Sequence, residues 1–105
     1  MVFNKLVRDN IPDLMEANGQ RPVVRVLDDE DYTLCLEKKL DEEVAEFHRD
    51  KNIEELADIL EVVFALTENL GASREELMEV YRGKNEARGG FSKRLFLVSK
   101  ENSRL

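Results

Sequence analysis

The sequence predicts an all-α domain built around a hairpin of two long helices. Residues 31–49 and 53–70 each repeat apolar side chains at helical spacing, and a short polar turn at 50–52 separates them. The chain has 105 residues, the size of one small domain, so we expect a single domain over residues 1–105. Together these observations favour a helical bundle with the hairpin as its core.

The segment before the hairpin is predicted to hold one short helix. Residues 4–10 are polar and irregular, and Pro12 is suited to the first turn of a helix over 11–17 that Asn18-Gly19 ends. The Val-rich segment 22–27 fits a short strand. It could pair with residues 92–98 near the other end of the chain, so a small β-ribbon stays open as an addition to the bundle.

Capping residues mark the ends of the longer helices. The acidic cluster 28–31 suits the start of the second helix, and Asn52 is the expected N-cap of the third, which Gly71 ends. A fourth helix is expected over 73–87, where Ser73 and Glu76 fit a capping box. Gly89-Gly90 ends it.

The third helix is apolar around most of its circumference. Its expected solvent stripe is narrow, formed by Glu54, Glu61 and Glu68 at intervals of seven residues. A helix of this kind must be covered on most sides, and one small chain offers few covering elements. We therefore expect a homo-oligomer built around this helix.

The charge of the chain bears on its partners and location. A net charge of −7 argues against general nucleic-acid binding. Acids dominate residues 30–61 and bases dominate 82–104, which fits a metal with an anionic ligand but equally fits charge complementarity within the chain. A single cysteine excludes an internal disulfide, and no stretch resembles a signal peptide or a membrane span of ~20 residues. A cytoplasmic protein without membrane contact is expected.

Two acidic pairs form the candidate site. Glu43 and Glu46 are three residues apart on one helix, and Glu55 and Asp58 are three apart on the next, so each pair shares a helical face. The hairpin should turn the two faces towards each other. Four carboxylates that converge repel one another unless a cation joins them, and oxygen-only ligands suit Mg²⁺ or Mn²⁺.

An acid on a helix is usually a solvated surface residue, and this interpretation explains some of these acids better than others. Glu43 falls within the apolar stripe of its helix, formed by Leu36, Leu40, Val44 and Phe47, so a solvated surface position explains it poorly. Asp58 lies on an apolar side in mid-helix. Glu55 could instead be the N3 residue of a capping box that starts at Asn52. Glu42 is either a surface acid or a base next to the metal site.

The lone histidine and cysteine do not suggest other chemistry. His48 lies off the apolar stripe, and a single histidine disfavours a ferritin-like di-iron bundle, which needs Glu-x-x-His twice. Cys35 lacks a partner pattern and is expected in the core.

Five basic residues are candidates for binding phosphate oxygens. Lys84 and Arg88 are one turn apart on the fourth helix, Lys5 and Arg8 lie near the start of the chain, and Lys39 flanks the apolar stripe of the second helix. The alternative for these residues is a solvated face.

The sequence also resembles a known family. KLDEEVAEF followed by EELADILEV resembles the E-x-x-E and E-x-x-D signature of the all-α nucleoside triphosphate pyrophosphohydrolases, the MazG-like superfamily. NKLVRDNIPDLM and KNEARGGFSKRLFL resemble its short stand-alone branch, often labelled phosphoribosyl-ATP pyrophosphohydrolase-like.

The resemblance implies a MazG-like helical bundle, a homodimer or homotetramer, that hydrolyses nucleoside triphosphates. Mg²⁺ would support cleavage between the α and β phosphates, giving a nucleoside monophosphate and pyrophosphate. By position, Glu43, Glu46, Glu55 and Asp58 would hold the metal, and Glu42 would activate water. House-cleaning of the nucleotide pool fits this branch. The KLVRD segment is foreign to the phosphoribosyl-ATP enzyme proper, which leaves that enzyme as an alternative rather than the expectation.

Two other classes of function remain open. A metal-dependent nucleotide-binding module would keep the acids but form no product. A purely structural helical oligomer would gain no stability from Mg²⁺, whereas a real metal site should.

Overall fold

The structure, a computed structural model, describes residues 3–102 and holds four α-helices within them. They are α1 (Ile11–Ala17), α2 (Asp29–Asp50), α3 (Ile53–Asn69) and α4 (Arg74–Arg88). The predicted all-α class is confirmed, with helix boundaries within two residues of those expected. No helix in this part of the chain is long and apolar enough to cross a membrane.

The chain divides into two compact units. The first ends at Arg74 and contains α1, α2 and α3, and the second begins at Glu75 and contains the rest of α4 and the segment that follows it. The expectation of one functional domain over residues 1–105 stays a prediction.

The first unit is organised by the predicted hairpin. α2 packs against α3, and the two helices are joined by a turn in which Lys51 adopts a left-handed conformation with φ of 50°. The Lys51 N–H donates to the Phe47 carbonyl at 2.8 Å, which closes the end of α2. At the far end of the hairpin, Asn69 Nδ2 donates to Thr33 Oγ1 at 2.9 Å. These contacts fix two antiparallel helices of similar length side by side.

The expected capping residues start and end the hairpin helices. The Asp28 side chain accepts from the Asp31 N–H at 2.8 Å, and the Asn52 side chain accepts from the Glu55 N–H at 3.0 Å. Both bonds satisfy backbone donors that have no partner inside the helix. After α3, Gly71 has φ of 88°, the left-handed conformation that glycine adopts without a steric penalty.

The hydrophobic core of the described residues is small. Leu36 on α2 and Val62 on α3 are its buried apolar members, exposed by 1% and 7%. Val44, expected in the apolar stripe of α2, is 36% exposed. The buried side of α2 is therefore centred on Leu36 and Glu43. Val44 lies nearer to the edge of that side than the predicted apolar stripe implied.

The suggested β-ribbon is wrong for the described residues. Neither 22–27 nor 92–98 forms a strand. Val23 and Val26 are 97% and 98% exposed, and Phe96 is 88% exposed, so neither segment packs against a layer that would support it. The β-propensity of valine reflects packing on a half-buried sheet, and without a paired strand it does not fix the backbone.

Replacing Leu36 by alanine should test whether the hairpin depends on this small core. We expect Leu36→Ala to lower the free energy of unfolding by about 2–5 kcal/mol, because it removes the most buried side chain between the two helices. Urea unfolding at a fixed protein concentration measures the change. Leu34→Ala on the same helix is the matched control, since Leu34 is 54% exposed. Equal losses in both variants would contradict this packing.

Candidate metal centre

The hairpin brings the four predicted acids to one point. Glu43 and Glu46 extend from α2, Glu55 and Asp58 extend from α3, and one carboxylate oxygen from each lies within 4.8 Å of the others. The spacing of three residues places each pair on one helical face, and the antiparallel packing of the helices makes these faces meet. The predicted juxtaposition of these residues is therefore present in the structure.

Glu43 is the most buried member of this acidic cluster, with 6% of its surface exposed. Its Oε1 lies 3.3 Å from the Lys39 ammonium, while its Oε2 is buried and has no hydrogen-bond partner. Burial and the neighbouring Glu46 carboxylate raise the pKa of Glu43, and Lys39 opposes this only in part. An unpartnered carboxylate oxygen in such surroundings is costly unless a cation occupies the space beside it.

Glu55 has the same feature on the other helix. Its Oε2 is buried without a hydrogen-bond partner, although its backbone N–H is held by Asn52. The cap therefore satisfies the backbone N–H of Glu55, while one oxygen of its carboxylate remains available to bind a ligand.

The arrangement fits a divalent cation. Oxygens on opposite sides of Mg²⁺ are about 4.2 Å apart, because each Mg–O bond is about 2.1 Å long. A cluster spanned by 4.8 Å needs only small side-chain adjustments to reach that separation. The unpartnered oxygens of Glu43 and Glu55 supply two ligand atoms that nothing else in the described residues satisfies.

Two cations lie at the edge of the acidic cluster. The Arg8 guanidinium is 2.7 Å from Asp58 Oδ1, and the Lys39 ammonium lies between Glu43 and Glu42, 3.5 Å from the latter. The contact between Arg8 and Asp58 joins residues fifty positions apart and was not predicted. Since both side chains are more than a third exposed, this ion pair contributes little to stability and leaves Asp58 available to a metal.

The other candidate residues fall into two groups. Glu42 is 45% exposed and adjoins the acidic cluster through Lys39, and Lys5 belongs to the segment that carries Arg8. Lys84 and Arg88 are exposed on α4 in the second unit, and their assignment to a phosphate site stays a prediction. His48 is exposed, as expected for a surface histidine, whereas Cys35 is only partly buried.

Comparison with known proteins gives one short match. Over 42 residues this chain is 57% identical to an uncharacterized protein of Mycolicibacterium smegmatis, a stretch that covers 40% of this chain and 43% of that protein. The match thus spans less than half of the relative. No protein-family model and no solved structure matches the chain.

Neutralising Glu43 should separate a metal site from a charged surface. We expect Glu43→Gln to melt at a higher temperature than the wild type without metal, because the variant no longer buries a charge beside Glu46. The wild type should gain about 2.7 kcal/mol in metal at a hundred times its dissociation constant, and the variant should lose most of that gain. Thermal unfolding with EDTA and with Mg²⁺ or Mn²⁺ measures both effects.

The exposed Glu37 on the same helix provides the control. Glu37→Gln should keep the full metal-induced shift. A wild type whose melting temperature ignores both metals would contradict the metal centre.

Proposed function

We propose that this protein is a Mg²⁺-dependent nucleoside triphosphate pyrophosphohydrolase, for which Mn²⁺ can substitute. The observation that carries the proposal is the four-carboxylate cluster with its unpartnered Glu43 oxygen. The resemblance of KLDEEVAEF and EELADILEV to the MazG-like signature supports the same activity. The substrate would be a nucleoside triphosphate, cleaved to a nucleoside monophosphate and pyrophosphate in house-cleaning of the cytoplasmic nucleotide pool.

Separate residues supply the metal site and the base. Glu43, Glu46, Glu55 and Asp58 would hold Mg²⁺, which when bound neutralises phosphate charge and lowers the pKa of bound water. Glu42 is suited to accept the proton of the attacking water, because its carboxylate is exposed and lies next to the acidic cluster. Lys39 lies 3.5 Å from Glu42 and 3.3 Å from Glu43, so it bridges the proposed base and the acidic cluster.

Arg8 is placed to contact the substrate as well as Asp58. Its side chain is 53% exposed, and the guanidinium approaches only one of the two Asp58 oxygens, so several donors remain free. Charge-assisted bonds from these donors to phosphate oxygens would offset the charge of the departing pyrophosphate.

The first experiment measures pyrophosphate release from canonical and modified nucleoside triphosphates and from phosphoribosyl-ATP, with and without Mg²⁺. We expect metal-dependent release with a monophosphate product. Release from phosphoribosyl-ATP alone would assign the histidine-pathway reaction instead. A folded protein that binds nucleotide but forms no product would be a binding module and would overturn the proposal.

Removing the base should separate catalysis from metal binding. We expect Glu42→Gln to lower kcat by about 10²–10⁴-fold, the usual contribution of a general base, while the thermal shift with Mg²⁺ is retained. Asp41→Asn is the neighbouring control, since Asp41 is also exposed on α2. Loss of the metal-induced shift in Glu42→Gln would identify Glu42 as a ligand, and unchanged kcat would remove it from the reaction.

The functional form is proposed to be a homodimer or homotetramer in which a second copy covers α3. Ile53, Leu56 and Leu60 lie on one face of α3 and are 72%, 44% and 50% exposed. Nothing within the described part of the first unit covers this apolar stripe. A second copy of the same stripe would bury it.

Charging the stripe should break this assembly. We expect the wild type to have the mass of a dimer or tetramer by light scattering and Leu60→Lys to shift towards the monomer, because a buried ammonium is unpaired at such a contact. Leu34→Lys is the control, a comparably exposed leucine on α2. A monomeric wild type would exclude the assembly.

A further inference from the structure

A small pocket lies between the segment before α1 and the middle of α2. Lys5 and Leu6 line it from the segment, and Cys35, Lys38, Lys39 and Glu42 line it from α2. Lys38 did not stand out in the sequence, because a lysine on the polar side of a helix has no distinguishing pattern.

The pocket carries an excess of positive charge. Three lysines and one glutamate line it, and of the three lysines only Lys39 is ion-paired among the described residues, with Glu42 and Glu43. Lys5 and Lys38 make no ion pair within residues 3–102, and the Lys5 ammonium instead lies 5.6 Å from the centre of the Phe3 ring. Neighbouring ammonium groups without a counter-charge attract an anion, and oxygens of a phosphate accept bonds from several at once.

The size of the pocket limits what can enter. Its volume is about 40 Å³. One water molecule needs about 10–15 Å³ of such space, so the pocket accommodates a group equal to about three waters. A single phosphate group is of that size, whereas a nucleobase or a nucleoside is much larger.

The pocket adjoins the acidic cluster. Lys39 belongs to both, since it lines the pocket and contacts Glu43, and Glu42 lines the pocket beside it. The same segment that contributes Lys5 extends to Arg8, which reaches Asp58 on α3. Residues 4–8 thus lie across both helices of the hairpin, next to the metal ligands.

We propose that this pocket binds one phosphate group of the polyphosphate, held by Lys5 and Lys38 beside the metal centre. The identity of the polyphosphate as a nucleotide rests on the proposed function, but the attraction of the pocket for phosphate does not. The segment before α1 is then part of the substrate site, and Lys39 separates the anion-binding pocket from the cation-binding carboxylates.

The test uses inorganic pyrophosphate as the probe and the full chain in EDTA, so that neither metal nor turnover contributes. Titration calorimetry of the wild type should give saturable binding that weakens with added NaCl. Lys38→Gln and Lys5→Gln should each raise the dissociation constant about tenfold, as expected for the loss of one charge-assisted bond. Lys100→Gln, an exposed lysine in the second unit, is the control and should bind as the wild type does.

The outcomes distinguish this pocket from the proposed activity. Absence of pyrophosphate binding by the wild type, or equal affinity in Lys38→Gln, Lys5→Gln and the control, overturns the pocket whether or not the protein hydrolyses nucleotides. Binding that depends on Lys5 and Lys38 in a protein that releases no pyrophosphate from any triphosphate supports the pocket and removes the enzyme. Circular dichroism verifies that each variant is folded. We expect both to fold, because Lys5 and Lys38 are exposed.

Discussion

The electrostatic cost of placing four carboxylates within 4.8 Å of one another is the constraint on which the rest of the hairpin depends. Helical packing must hold Glu43 at a position where it is 6% exposed, although burial and Glu46 both disfavour its charge. Lys39 and Arg8 offset part of the repulsion, but two cations cannot neutralise four acids and Glu42 as well. Without a bound cation such a cluster lowers stability, which is consistent with the proposed metal site.

The acidic cluster and the proposed contact between copies involve opposite sides of α3. Glu55, Asp58 and Val62 lie on the side that meets α2. Ile53 and Leu60 are seven residues apart, about two turns, so they lie on the same side of the helix. Ile53 is two residues from Glu55 and Leu60 is two residues from Val62. That spacing puts Ile53 and Leu60 on the side opposite to the one that meets α2. A second copy could therefore cover the apolar stripe without displacing the acidic cluster. The 17 residues of α3 would then provide both two of the proposed metal ligands and the apolar stripe.

The hairpin and the acidic cluster were predictable because each depends on short-range geometry. The spacing of Glu43 and Glu46 fixes a shared face, and the caps at Asp28 and Asn52 fix where the helices begin. The β-ribbon failed because a strand is defined by its partner, which the valines of 22–27 do not specify.

The contacts of the segment before α1 could not be derived from the sequence for a related reason. Arg8 and Asp58 are fifty residues apart, and the path between them includes irregular backbone that has no periodicity. Lys38 acquires a distinctive position only because this segment passes beside it. The basic residues of the segment before α1 could be recognised from the sequence as candidates for binding an anion. The acid or lysine that each of them approaches depends on the tertiary structure.

The separation of charges around Lys39 bears on why a metal would be required. A polyphosphate approaching this hairpin meets a chain of net charge −7 and a cluster of acids that repels it. The lysine-lined pocket offers attraction only at the edge of that cluster, for one phosphate group at a time. The remaining phosphates would have to lie against Glu43 and its neighbours, which is favourable only after a divalent cation has offset much of the local negative charge. Metal dependence would then begin at substrate binding, before the chemical step, and would follow from the position of the carboxylates alone.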